Sequence, residues 1–88
     1  MKIVKIKQID KFLPLKFIIK GIPYKHLNEK LLKSGFKWDI YYPDKKIDSK
    51  YIMLTEDKRI FKIHSYNVFR DCDSFKQIDI NLILEMLE

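Results

Sequence analysis

Val4-Lys5-Ile6-Lys7 alternates apolar and polar residues with period two, the pattern of a half-buried strand with its lysines outward. Asp10 to Pro14 interrupts it. Leu15 to Gly21 then sets Leu15, Phe17 and Ile19 against Lys16, Ile18 and Lys20, which predicts a second strand. Paired as a hairpin, the two strands place Lys5, Lys7, Lys16 and Lys20 on one wet face. Gly21-Ile22-Pro23 ends the second strand, and Pro23 suits a helix start, where its missing N–H has no partner to lose. Tyr24, Leu27, Leu31 and Ser34 follow helical spacing, and Gly35 stands where a left-handed residue stops a helix.

Phe36, Trp38, Ile40 and Tyr42 then alternate with Lys37, Asp39 and Tyr41, which predicts a strand with one aromatic core face and Tyr41 outward. Pro43 to Ser49 reads as a polar loop. Lys50–Thr55 and Arg59–His64 read as strands joined by Glu56-Asp57-Lys58 in a hairpin. Tyr66–Phe69 suggests a further short strand, and Arg70–Ser74 a polar turn. Asp79 is a good N-cap for a last helix carrying Ile80, Ile83, Leu84 and Leu87 on its apolar side. The order β-β-α-β-β-β-(β)-α predicts one α+β domain over residues 1–88, a small antiparallel sheet with two helices on one face.

Size and composition narrow the function classes. With 88 residues there is room for one core, which excludes multi-domain enzymes and nucleotide-driven motors. No apolar run approaches the roughly 20 residues of a membrane span, so no membrane role is expected. The first residues carry lysines without an apolar stretch, so no signal peptide is expected. A single cysteine, Cys72, forms no internal disulfide and points to a cytoplasmic setting.

The net charge of +6 is uneven: +7 over residues 1–35, +3 over 36–70 and −4 over 71–88. It is written with 16 Lys and 2 Arg, beside 14 Ile and no Ala. Lysine and isoleucine codons can be built from A and T alone, so part of this charge reflects an AT-rich genome. Lysine also lacks the planar fork that suits arginine to phosphate.

Candidate chemistry is sparse. Pro43-Asp44 with Glu56-Asp57-Lys58 has the outline of a PD-(D/E)XK nuclease site, but its second half falls on the expected hairpin turn. His26, His64 and Cys72 show no metal-ligand spacing, so no metal and no cofactor are expected. Cys72 lies between Asp71 and Asp73, which suppress its thiolate. If residues 62–66 stay extended, Lys62, His64 and Tyr66 share a face, an arrangement open to general acid–base cleavage of RNA.

From Pro23 onward the layout resembles the HicA-type mRNA interferase toxins, with their dsRBD-like helix–sheet–helix fold. The helix ending Leu31-Leu32-Lys33-Ser34-Gly35-Phe36, the hairpin strands and the closing helix carry that resemblance. The family's Gly-Ser-His strand motif would fall near Asp48-Ser49-Lys50, with Lys50 in place of its catalytic histidine. The whole chain is also similar in kind to accessory proteins of AT-rich phages, among them anti-CRISPR and other anti-defence inhibitors, through its size, composition and Gly35-Phe36-Lys37-Trp38 junction.

The residues therefore point to a non-enzymatic binding protein, a phage- or mobile-element-type modulator that occludes a host defence protein or nucleoprotein. Tyr41, Tyr42, Tyr51 and Tyr66 are its candidate anchors, being amphipathic side chains enriched at interface hot spots. Lys5, Lys7, Lys16, Lys20, Lys45 and Lys46 are its candidate basic contacts. The alternative is an RNA-binding or HicA-like protein that grips a single strand with aromatics and lysines, the first four of those lysines being essential. A homodimer through an open sheet face bearing Ile18 or Ile22 is a third expectation.

Overall fold

The computed structural model describes residues 8–87 of the chain. The expected strand at Val4–Lys7, with Lys5 and Lys7, lies outside the described residues. A 3₁₀ turn at Gln8–Phe12 leads into β1 (Leu15–Ile18), α1 (Tyr24–Lys33), β2 (Lys37–Trp38), β3 (Tyr51–Leu54) and β4 (Arg59–Ile63). After β4 come α2 (Tyr66–Asp71), β5 (Lys76–Gln77) and α3 (Ile80–Met86). The α+β class is as expected. The five strands lie in the order β2-β4-β3-β1-β5.

Register explains the two faces. Leu15 faces Leu54, Phe17 faces Ile52, and Leu54 in turn faces Ile60 across the antiparallel β1–β3–β4 core. These residues, all fully buried, share one cluster with Leu27 and Leu31 of α1 and with Ile80 and Ile83 of α3. The alternate positions, Lys16, Met53 and Phe61, lie on the opposite face. There Phe69 of α2 packs, its ring centroid 5.1 Å from that of Tyr51.

Several expectations are corrected here. The sheet is mixed, since the outer pairs β1–β5 and β2–β4 are parallel. The segment at Tyr66–Phe69 is the start of α2 and not a strand. Ser65 caps it by accepting a hydrogen bond from the Val68 N–H at 3.5 Å, and the helix runs on through Arg70 and Asp71. Two helices do share the main core, but this third one occupies the face expected to be open. Ile18 and Ile22 are both half-buried.

The helix ends follow local chemistry. Asp79 caps α3 by accepting from the Asn81 N–H at 2.8 Å. Pro23 precedes α1 without a side-chain cap, and Gly35 (φ +90°) closes it, the Phe36 N–H returning to the Leu31 oxygen at 3.1 Å. The β3–β4 connection is a tight turn at the expected place. Lys58 (φ +65°) completes it by donating its N–H to the Thr55 oxygen at 3.0 Å.

Candidate binding surface

β2 stops after Trp38 because the next residues hydrogen-bond among themselves. Asp39 Oδ1 accepts from the Tyr41 N–H at 3.0 Å, and the Tyr42 N–H donates to the Asp39 oxygen at 2.9 Å. This is an Asx-type turn, in which a short acidic side chain replaces the ladder as partner. The expected strand Phe36–Tyr42 is thereby cut in half. Phe36 and Trp38 are buried as foreseen and Tyr42 is half-buried. Ile40, assigned to the core face, is 92% exposed, and Tyr41 beside it is 77% exposed.

The knuckle so formed is braced from beneath. Trp38 Nε1 donates to Asn28 Oδ1 at 2.9 Å, and Asn28 Nδ2 donates to the Lys45 oxygen at 3.4 Å, tying the loop to α1. The Tyr42 hydroxyl donates to the Lys62 oxygen at 3.1 Å. Its ring meets those of Trp38 and Tyr41 edge-on, at 5.6 and 5.1 Å. Burial pushes the Tyr42 phenol above its ordinary pKa, against the opposing pull of that hydrogen bond.

Lys62 is the central rivet. It pairs with Ile52 on the core face and is buried, with its ammonium 2.8 Å from Asp44 Oδ2, 3.2 Å from Asp48 Oδ1 and 3.1 Å from the Lys46 oxygen. Burial alone would lower its pKa, yet the hydrogen bonds and charges of Asp44 and Asp48 raise it. The same hydrogen bond holds the Asp44 carboxyl below the usual carboxylate range. Asp48 also lies 3.5 Å from His64 Nε2. Ser49 Oγ donates to the Ile63 oxygen, closing the loop against β4.

The expected contact residues fall into separate places. Tyr41, Tyr42, Lys45 and Lys46 come together in the knuckle loop. Tyr51 and Tyr66 lie on the other sheet face, 5.7 Å apart, with Tyr66 half exposed at 50%. Lys20 is exposed beside a cleft of about 300 Å³ lined by Ile18, Gln77, Ile78, Asp79 and Ile80. Lys16 is corrected: it is 5% exposed, and its ammonium donates to the main-chain oxygens of Phe69, Arg70 and Cys72 at the end of α2. The four-lysine wet face therefore does not include Lys16.

The chemistry-bearing constellations are likewise distributed. β4 ends at Ile63 and Tyr66 belongs to α2, so Lys62, His64 and Tyr66 do not share one extended strand face. Of the nuclease-like residues, Asp44 is bound to Lys62, whereas Asp57 lies in the β3–β4 turn and accepts from the Thr55 hydroxyl. That hydrogen bond holds the Asp57 carboxyl low. Lys58 donates to the Ser34 oxygen at 2.8 Å and pairs with Asp10 at 3.3 Å. No group of three His, Cys, Asp or Glu side chains suited to a metal ion occurs among the described residues.

Sequence reasoning missed Ile40 and the Asp44–Lys62–Asp48 rivet. Asp39 followed by Pro43 was the available signal for a turn in place of a strand. No protein-family model matches the chain, and neither a curated protein nor a solved structure matches it. No helix among the described residues is long and apolar enough to cross a membrane.

Proposed function

We propose that the protein is a small non-enzymatic binding protein, a modulator of the phage or mobile-element type that inhibits a host defence protein or nucleoprotein by occluding it. One observation carries this reading: Ile40 and Tyr41, 92% and 77% exposed, project from a loop that is hydrogen-bonded on both flanks. A monomer gains nothing in stability by holding two large apolar side chains in water on a rigid support. An interface does, because a few pre-ordered anchors, tyrosine prominent among them, supply most of the energy of binding.

RNA binding of the HicA-like kind is the second reading, favoured by the exposed Tyr41 ring between lysines in a chain of net charge +6. Capture from native host lysate on the immobilised protein, with and without ribonuclease, tests the two. A stoichiometric protein partner that survives ribonuclease is the expected result. Loss of every partner on ribonuclease treatment selects the RNA reading.

A further inference from the structure

Two aspartates lie between Lys37 and Lys46, and both are engaged within the protein. Asp39 Oδ1 accepts from the Tyr41 N–H at 3.0 Å, and Asp44 Oδ2 lies 2.8 Å from Lys62 Nζ. Lys37, Lys45 and Lys46 are exposed, and their ammonium groups enter no ion pair among the described residues. Asp44 and Asp48 share the single Lys62 ammonium, so the ammonium groups of these three lysines are left facing solvent outside any ion pair among the described residues. Ile40 and Tyr41 lie between Lys37 and Lys45 in the sequence.

We infer that Ile40 and Tyr41 insert into an apolar pocket rimmed by carboxylates on a partner protein, with Lys45 and Lys46 meeting the rim. The inference rests on the binding reading above and names the chemistry of the partner. Three features set a protein pocket ahead of a nucleic acid. Ile40, the more exposed anchor, has no π-face on which a base can stack, whereas an aliphatic side chain fills an apolar pocket well. Arginine, the side chain best suited to fork a phosphate, occurs only twice, and each copy already lies in an ion pair, Arg59 with Asp57 at 3.4 Å and Arg70 with Asp71 at 3.0 Å. The Tyr41 ring is packed edge-on against Tyr42, which favours one direction and lowers the ordering cost of docking.

The test is selection of a display library of small folded domains with a randomised concave face on the immobilised full chain, with the Ile40→Ser/Tyr41→Ser double variant as counter-target. Enriched domains should carry aromatic or aliphatic residues flanked by Asp and Glu. Their affinity should fall by about tenfold or more in the double variant. It should also fall several-fold in Lys45→Glu/Lys46→Glu but not in Lys25→Glu/Lys33→Glu, which makes the same charge change on α1. Failure to enrich any domain, enrichment without acidic flanks, equal binding by the double variant, or displacement by oligouridine each overturns the inference. Lysate capture that persists in the double variant would reject this site and leave the binding function standing.

Discussion

The Lys16 ammonium lies 2.5 Å from the main-chain oxygen of Phe69, joining positions 53 residues apart, and 5.0 Å from the centre of the Phe69 ring. With the Arg70 and Cys72 oxygens it collects three carbonyls at the C-terminal end of α2. The Phe69 and Cys72 oxygens also accept the N–H groups of Cys72 at 3.4 Å and Phe75 at 3.2 Å, so the ammonium adds a charged donor where the helix carries its negative end.

Lys16→Met should therefore destabilise the fold by about 2–3 kcal/mol, the cost of deleting the hydrogen bonds of a buried ammonium. Urea unfolding measures this, and hydrogen exchange should show α2 losing protection before β1. An unchanged midpoint with intact α2 protection would contradict the capping role. For the same reason, a fourfold Lys→Glu exchange at positions 5, 7, 16 and 20 would mix loss of fold with loss of binding. Lys20→Glu is the clean surface variant.

Acid should loosen the knuckle through Asp44. Its folded pKa is depressed by Lys62, so its contribution is present above the unfolded value near about 4 and is lost as pH falls through the lower folded value. Lys62 is shifted upward, so its contribution holds below its unfolded value near about 10.5 and fades only as pH rises past the raised folded value. Asp44→Asn should be less stable than wild type at neutral pH. The gap should close as pH falls through the depressed folded value of Asp44, and a pH-independent gap would remove the ion pair from the account.

Gly35 and Gly21 both hold positive φ, at +90° and +71°, but their surroundings differ. A Cβ at Gly35 would lie 3.3 Å from the Lys58 ammonium, which is held by Ser34 and Asp10, whereas at Gly21 nothing lies within 4 Å. Gly21→Ala should cost about 1 kcal/mol in backbone strain alone, and Gly35→Ala distinctly more. Paired thermal melts decide the order.

Ile40→Ser should leave stability unchanged within about 0.5 kcal/mol, because the side chain is already in water. Tyr42→Phe should cost about 1 kcal/mol by deleting the hydrogen bond to the Lys62 oxygen. Chemical denaturation of the two variants separates a side chain presented to solvent from one that braces the loop.

The contrast between α1 and α2 shows what was legible in the sequence. α1 runs ten residues between Pro23 and Gly35, long enough for its apolar spacing to declare a helix. α2 has six residues, too few to set a 3.6-residue period apart from alternation, and only Ser65 marked its start. β5 is two residues long and exists because Lys76 and Gln77 meet Leu15 and Lys16, a pairing no local pattern encodes. Lys16 and Lys62 were hidden for a related reason. Alternation says which face a side chain takes, and a neighbour distant in sequence decides whether that face is wet. In the knuckle, Tyr41, Lys45 and Lys46 were recognisable by residue type, while Ile40 was assigned inward because its strand was read past the Asp39 turn.

Both outer strands of the described sheet, β2 and β5, are only two residues long. A second molecule arriving at either side meets two rungs of ladder, too few to seed the strand-by-strand growth that long bare edges invite. In a chain with 14 isoleucines this brevity acts as a brake on fibre formation at high concentration.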